Sequence, residues 1–260
     1  MPVNKTTAAT PLQPRRRAII IGSAQGLGAA MARRLAREGY LLGLADRNGE
    51  LLGKVCAEIN QAGGPGQARA YVHDVTNTEE VPALLQKIMA DLGGLDAFIY
   101  VAGILLPTTP TTYEFDKDRK MMEVNALGAL AWYNLVAPIF QALHSGTIVG
   151  VSSVAADRGR LGNPGYNASK AALDTYLEAL RNRLTRHGVH VLTVKPGYMD
   201  TDMLKGVERP FLVASPDKAA EDIWNAMRRR KQTIYTLGAW GLIMLIIKHI
   251  PSLIFRRLSF

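Results

Sequence analysis

Short apolar runs alternate with helical patterns along almost the whole chain. Strands are predicted at 18–21, 40–45, 70–72, 97–101, 147–151, 189–194 and 233–235. Apolar residues recur at helical spacing over 27–38, 49–61, 78–91, 121–143, 165–185 and 217–230, the last with Ser215 as N-cap before Pro216. Strands separated by helices form a parallel sheet with both faces covered, wound by right-handed crossovers. The pattern predicts one doubly wound α/β domain with a seven-stranded parallel sheet.

The composition is that of a folded protein, because 48% of the residues are apolar and 20% are charged. The single cysteine, Cys56, excludes an internal disulfide and a thiolate zinc site, and we predict no metal. The net charge of +9 indicates either an acidic partner or a solvated basic surface. No pattern of aromatic and basic residues accompanies it, so we predict no nucleic-acid partner.

Two terminal segments differ from the domain predicted at 15–236. Residues 1–14 are polar with three prolines and predict a disordered tail. They contain no apolar stretch typical of a secretory signal, although a transit peptide remains an alternative, since the first acid is Glu38. Residues 237–260 form an apolar and basic extension. We expect a cytoplasmic protein.

A glycine-rich turn, Gly22-Ser-Ala-Gln-Gly26-Leu-Gly28, joins the first predicted strand to the first helix. Glycines let a backbone turn tightly and approach a pyrophosphate, which the N–H groups of the helix N-terminus then bind. A tight turn without a ligand is the alternative. Asp46 ends the second strand, where a carboxylate accepts the ribose hydroxyls and repels a 2′-phosphate. This position favours NAD, whereas the guanidinium of Arg47 leaves NADP open.

Tyr166 and Lys170 lie four residues apart on a predicted helix and share one face. A tyrosine has a pKa of about 10, and a nearby ammonium favours its phenolate and lowers that pKa. Ser153 lies at the end of the fifth strand and Asn125 further upstream. Each residue alone is more typical of a helix surface or a turn.

The glycine turn and these four polar residues together resemble the short-chain dehydrogenase/reductase family, over about residues 16–236. The resemblance implies a Rossmann-type fold and hydride transfer between a nicotinamide and a carbonyl or alcohol carbon. It implies that Tyr166 exchanges a proton with the substrate oxygen, and that Lys170 lowers the tyrosine pKa and holds the nicotinamide ribose. Ser153 would bind the carbonyl oxygen, and Asn125 would order a water that links Lys170 to solvent.

The resemblance also implies the residues that bind the cofactor. They are Gly22, Ser23, Gln25, Gly26, Leu27, Gly28, Asp46, Arg47, Asp74, Val75, Ala102, Gly103, Tyr166, Lys170, Pro196, Gly197, Met199 and Thr201. Uncharged Gln25 stands where relatives that prefer NADP often carry a base, and Asp74 is equally a loop acid or a helix cap. Val101 stands where the family carries an asparagine, which puts the rigidity of that loop in doubt. Thr201 would meet the nicotinamide carboxamide at the start of a substrate lid over 198–216.

The C-terminal extension combines an apolar run over 237–247 with basic residues. The run is shorter than the about 20 residues that span a bilayer. Seven Lys or Arg and no acid follow Ile223. Apolar and basic residues together favour an anchor at the interface of an anionic membrane. The alternative is a helix packed on the subunit or at a dimer interface. The segment His249-Ile-Pro-Ser-Leu-Ile-Phe-Arg-Arg-Leu258 and the segment Ser152-Ser-Val-Ala-Ala-Asp-Arg-Gly-Arg160 after the fifth strand resemble a membrane-associated branch. Its best-known member reduces a keto-sugar carried on a polyprenyl phosphate. Arg158 and Arg160 would contact a phosphate or face solvent.

These features predict an NAD(P)(H)-dependent oxidoreductase that acts on a ketone or secondary alcohol. Its substrate would be a small or amphiphilic molecule. The resemblance implies a homodimer or homotetramer, and the extension predicts peripheral contact with the inner face of the membrane. A nucleotide-sensing or scaffold protein on the same fold, without chemistry, is the alternative function.

Overall fold

The computed structural model describes residues 15–204 and 209–258, so the predicted disordered tail at 1–14 lies outside the described residues. The strands are β1 Arg17–Ile21, β2 Leu41–Asp46, β3 Gln67–Val72, β4 Ala97–Tyr100, β5 Thr147–Val151, β6 His190–Lys195 and β7 Thr233–Tyr235. The helices are α1 Gly26–Arg37, α2 Gly49–Gln61, α3 Val81–Leu92, α4 Phe115–Met122, α5 Gly128–Leu143, α6 Pro164–Leu184, α7 Pro216–Arg228, α8 Ala239–His249 and α9 Ser252–Phe255.

The seven strands form one sheet in the order β3-β2-β1-β4-β5-β6-β7, and every pair is parallel. The predicted Rossmann-type doubly wound domain is therefore confirmed. The chain moves outward from β1 to β3 and then returns to β4 on the other side of β1. Ligands of open α/β sheets bind at such a reversal, beside the carboxyl ends of the strands.

Alternate residues of the central strand enter two separate apolar layers. Ile20 packs in the layer that contains residues of α1, α2 and α7, whereas Ile19 and Ile21 pack in the layer of α3, α5 and α6. All three isoleucines are fully buried, and burial of each contributes about 2 kcal/mol. The double layer fixes the strand ends that carry the site.

The largest departure from the sequence prediction concerns the helix expected over 121–143. It begins at Phe115, and a π-helical turn over Glu123–Leu127 separates α4 from α5. The segment Phe115–Met122 is rich in charge, so its apolar spacing is weak. The continuous helical segment 115–143 contains an 18-residue stretch with mean hydropathy 1.4, long and apolar enough to cross a membrane, but the inner face of α5 packs in the core of the domain.

The C-terminal extension packs against the domain through one face of α8. Trp240 and Met244 are buried and form a third apolar cluster with Val154. Arg158 donates from Nη1 to the carbonyls of Ile247 at 2.7 Å and Ile250 at 2.6 Å, and so caps the end of α8. Arg158 therefore does not simply face solvent, and its predicted contact with a phosphate stays a prediction.

Candidate active site

A cavity of about 1150 Å³ lies at the carboxyl ends of the strands, where the strand order reverses. Its walls come from the glycine turn, the ends of β2 to β6, the first turns of α6 and the lid. Nearly all the predicted cofactor residues lie on these walls. Asn125 and Ser23 are the two predicted site residues that do not line it.

The glycine turn leads from β1 into α1, and other backbone atoms approach its glycines as closely as the sequence predicts. Gly22 has φ +83°, and a Cβ on it would lie 2.5 Å from the backbone nitrogen of Ala102. A Cβ on Gly28 would lie 1.9 Å from the carbonyl oxygen of Gly22. Gln25, in extended conformation, gives α1 no side-chain cap. The first turn of α1 therefore offers its N–H groups to an anion in the cavity, as a pyrophosphate site requires.

The carboxylate of Asp46 is held at the cavity wall by two backbone N–H groups. Its Oδ2 accepts from Ala24 at 3.0 Å, and its Oδ1 accepts from Asn48 at 3.0 Å. Asn48 in turn caps α2 by accepting from the N–H of Leu51. Arg47 also lines the cavity and is exposed. The carboxylate keeps lone pairs for ribose hydroxyls, so this region fits the adenosine half of a dinucleotide.

Asp74 lines the cavity and also stabilises its own loop. Its Oδ1 accepts from the N–H of Thr76 at 2.9 Å and from the hydroxyl at 2.7 Å, and these bonds lower the pKa of Asp74. The neighbouring Val75 is buried and presents an apolar surface to the cavity. The structure thus combines the two readings of Asp74, a loop acid and a residue beside the predicted adenine position.

Three of the four predicted catalytic residues meet at one wall. Ser153 follows β5, and its hydroxyl is hydrogen-bonded to that of Tyr166 and accepts the N–H of Ala155 at 3.1 Å. Lys170 lies one turn further along α6, with Nζ 5.9 Å from the centre of the tyrosine ring. The Nζ donates to the carbonyl of Val151 at 3.0 Å.

Burial dominates the electrostatics of this wall. Burial lowers the pKa of Lys170 to about 8. Burial raises the pKa of Tyr166, and the opposing influences come from the hydrogen bond of Ser153 and the charge of Arg160. Lys170 is not among the groups that shift the tyrosine pKa in this arrangement, and its predicted lowering of that pKa stays a prediction. Its buried ammonium lies 5.9 Å from the centre of the tyrosine ring and bonds a backbone carbonyl.

Asn125 anchors a loop from the π-helical turn and is fully buried. Its Oδ1 accepts from the N–H of Ile104 at 2.7 Å, and its Nδ2 donates to the carbonyl of Ile104 at 2.9 Å and to Ser169 Oγ at 3.0 Å. These bonds hold the loop that follows β4. The rigidity of this loop was in doubt because Val101 stands where the family carries an asparagine. The predicted ordering of a water by Asn125 stays a prediction.

Ser23 is the second predicted residue that points away from the cavity. It is fully buried, and its hydroxyl donates to the carbonyl of Ala45 at 3.3 Å. This bond ties the glycine turn to the end of β2. The side chain is therefore structural, because its one hydroxyl proton is already used inside the protein.

The predicted lid leaves the sheet after β6 and returns before α7. Its two ends pair where Asp200 donates to the carbonyl of Ala214 at 2.9 Å and Ala214 donates to that of Tyr198 at 3.0 Å. Thr201 packs beside the glycine turn, since a Cβ on Gly26 would lie 3.2 Å from its methyl group. Residues 205–208 of the lid lie outside the described part of the chain.

Trp240 is a cavity residue that the sequence reasoning missed. It comes from α8, and a Cβ on Gly197 would lie 2.1 Å from its ring. Its Nε1 donates to the carbonyl of Leu212 at 3.2 Å, and its ring centre lies 4.9 Å from that of Phe211. A tryptophan in an apolar tail was the available signal, but the contact with the lid spans too much sequence to be read from periodicity.

The comparison with known families agrees with this geometry. Residues 16–210 match the family model described as short chain dehydrogenase. The chain belongs to the short chain dehydrogenase family. A ketoacyl reductase, HetN of Nostoc sp., is 30% identical over 217 residues, which cover 82% of this chain and 75% of the relative. An uncharacterized oxidoreductase of Staphylococcus haemolyticus is 31% identical over 186 residues, covering 72% of this chain and 79% of the relative.

Solved structures of short chain dehydrogenase relatives share the fold. A 3-oxoacyl-[acyl-carrier protein] reductase from Brucella melitensis in complex with NAD superposes with TM-score 0.79 at 21% identity, covering 89% of this chain and 99% of that one. A variant of actinorhodin polyketide ketoreductase with NADPH gives TM-score 0.79 at 22% identity over the same shares. Membership places this chain among oxidoreductases that use a nicotinamide cofactor.

Proposed function

We propose that this protein is an NAD(H)-preferring oxidoreductase that interconverts a ketone and a secondary alcohol. The observation that carries the proposal is the joining of Ser153, Tyr166 and Lys170 at one wall of a cavity that also contains the glycine turn. The alternative of a nucleotide sensor without chemistry does not require a hydrogen-bonded serine and tyrosine at that wall.

Each residue of the wall has a distinct task in this proposal. The bound nicotinamide supplies or accepts the hydride. Tyr166 donates its hydroxyl proton to the carbonyl oxygen as that oxygen gains negative charge, and Ser153 donates a second hydrogen bond that fixes the carbonyl. Lys170, held by Val151 beneath the tyrosine ring, is placed to bind the nicotinamide ribose.

The preference for NAD(H) is supported by the setting of Asp46. Two backbone N–H groups fix its carboxylate at the cavity wall, so the negative charge cannot swing away from a 2′-phosphate. Arg47 is exposed and, unlike Asp46, makes no hydrogen bond within the described chain that would fix it there.

An amphiphilic substrate, such as a lipid-linked keto-sugar, is supported by the apolar residues around the cavity mouth. Trp240, Tyr198 and Phe211 pack together where α8 meets the lid. The outer side of this region stays apolar and exposed, with Phe211 52% and Val213 39% accessible. A lipid chain attached to the reacting group would meet this apolar surface as it leaves the cavity.

We further propose that the C-terminal extension lies on an anionic membrane, at the cytoplasmic inner face. Its outward side exposes apolar residues of α8 and α9, with basic residues close in sequence. The exposed apolar side chains are Leu242, Leu245, Ile246, Leu253 and Ile254, and the basic residues are Lys248, Arg256 and Arg257. Apolar groups flanked by cations suit a headgroup boundary. A second copy on this face is the competing outcome, and a homodimer or homotetramer is our proposal for the assembly.

The function is tested by NADH oxidation with the wild type and Tyr166→Phe, in separate lipid and aqueous cell extracts. Tyr176→Phe on the same helix is the matched control. We expect turnover in the lipid extract that falls about 1000-fold in Tyr166→Phe, with NADH binding retained. Turnover in the aqueous extract alone would contradict the amphiphilic substrate. NADH binding without turnover in either extract would favour a sensor.

A further inference from the structure

Arg160 is a partly buried cation whose hydrogen-bonding capacity is largely unused. It lines the same cavity as Tyr166, between β5 and α6. A guanidinium has five N–H donors. The contacts of Arg160 are long, 3.4 Å from Nη2 to the carbonyl of Val154 and 3.8 Å to the sulfur of Met244. Its Nε is buried without a partner in the described chain.

No carboxylate of the described residues forms an ion pair with Arg160. Asp157 lies near enough to act on it electrostatically, but its oxygens already accept from Lys195 at 2.7 Å and from Tyr235 at 2.8 Å. Burial lowers the pKa of Arg160, which reflects the free energy needed to keep this charge out of water. Arg158, two residues earlier, is by contrast satisfied by backbone carbonyls. Buried charges are normally paired, so Arg160 lacks an anion.

The position of Arg160 indicates which molecule brings that anion. The dinucleotide phosphates have their own site at the N-terminus of α1, after β1. Arg160 follows β5, contacts Met244 of α8, and acts electrostatically on the hydroxyl of Tyr166. It therefore belongs to the substrate end of the cavity, close to the proposed proton donor.

We propose that Arg160 binds an anionic group, a phosphate or a carboxylate, carried by the substrate near its reacting carbon. This inference rests on the proposed function, since it specifies the substrate class of the same site. A planar guanidinium binds both anions in a bidentate manner, and charge-assisted bonds of this kind change affinity by about 10- to 100-fold.

Anion binding is tested directly on the protein saturated with NADH, which occupies the pyrophosphate site. Inorganic phosphate and acetate are titrated by calorimetry into the wild type, Arg160→Gln and Arg160→Lys. Arg183→Gln, at an exposed position near the end of α6, is the control for net charge. We expect affinity for at least one anion to fall about tenfold or more in Arg160→Gln, to recover partly in Arg160→Lys and to stay unchanged in Arg183→Gln. Equal binding of both anions by Arg160→Gln and the wild type would overturn the proposal.

Turnover of matched ketones adds the link to the reaction. The pairs are dihydroxyacetone phosphate with dihydroxyacetone, and levulinate with methyl levulinate. We expect Arg160→Gln to lose kcat/KM selectively for the charged member of at least one pair, which identifies phosphate or carboxylate as the group. Absence of turnover with all four ketones would count against the proposed function, while the calorimetry still decides the anion site. A purely structural Arg160 would instead show a lower unfolding temperature on substitution and unchanged anion binding.

Discussion

At the scale of single residues, the site keeps two cations without a carboxylate partner, Lys170 buried and Arg160 partly buried. Lys170 bonds only one backbone carbonyl, and Arg160 has a buried donor with no partner in the described chain. Such groups lower the stability of the folded state and are typical of functional positions. The sequence predicted Lys170 from its spacing to Tyr166, but burial of Arg160 could not be read from a polar loop between strand and helix.

Lys170→Met should remove the free-energy penalty of burying the lysine charge, and it should abolish activity. The fall of the lysine pKa from 10.5 to about 8 corresponds to about 3 kcal/mol at pH 7. Below pH 8 the wild type carries this penalty in full. As the pH rises from about 8 toward 10.5, the folded state loses the proton before the unfolded state, so the penalty disappears. Urea unfolding at pH 7.0 and 9.5 should show the stability advantage of Lys170→Met shrinking, and a constant difference would contradict the argument.

Asp46→Ala should lower the affinity for NADH and raise the affinity for NADPH. Loss of the carboxylate removes its ribose hydrogen bonds and its repulsion of a 2′-phosphate, and each effect is worth about tenfold in affinity. Fluorescence titration with both cofactors measures the change. Glu50→Ala, an exposed acid of α2, is the control and should leave both affinities unaltered.

At the scale of elements, prediction succeeded where local rules decide the structure. The glycine turn, the buried strands and the Ser215 cap of α7 depend on short-range sterics and hydrogen bonds, and all are present. It failed where the signal is weak or non-local. The edge strand β3 is largely exposed and begins three residues earlier than predicted, and the π-helical turn at Asn125 is set by a loop 21 residues away. Packing of α8 on the lid was also invisible to periodicity.

Gly197→Ala should displace α8 from the cavity, because the new methyl group would lie 2.1 Å from the ring of Trp240. We expect faster hydrogen exchange over residues 239–249 and an activity loss of about tenfold or more, since one cavity wall is lost. Gly53→Ala is the control, because a Cβ there meets nothing within 4 Å. Unchanged exchange over α8 would show that the ring moves aside without moving the helix.

At the scale of the whole molecule, the cavity is assembled from strand ends along most of the chain and closed by the extension. The parallel sheet makes this assembly predictable, since it brings the ends of β1, β2, β4, β5 and β6 to one edge. The extension closes it through Trp240 and is held to the domain by Arg158, and deletion of residues 237–260 would therefore damage the site as well as any membrane contact.

Membrane contact is better tested by changing the outward face of α8 alone. Leu245→Ser with Ile246→Ser removes two exposed side chains, 57% and 61% accessible, without touching Trp240 or Met244. We expect the wild type to float with phosphatidylglycerol vesicles and less so with phosphatidylcholine, and the double variant to lose about tenfold in binding. Light scattering on both proteins separates the alternatives. A dimer that dissociates in the variant, with no flotation of either, would show that this face binds a second copy.

The three tryptophans of the chain lie in three different apolar clusters. Trp224 belongs to one layer beside the sheet, Trp132 to the other, and Trp240 to the cluster under the lid. Only Trp240 of the three lines the cavity. The fluorescence of Trp240 should therefore report cofactor binding, because its emission should be quenched by energy transfer to a reduced nicotinamide. Trp132 and Trp224, replaced singly by phenylalanine, would leave that signal in place.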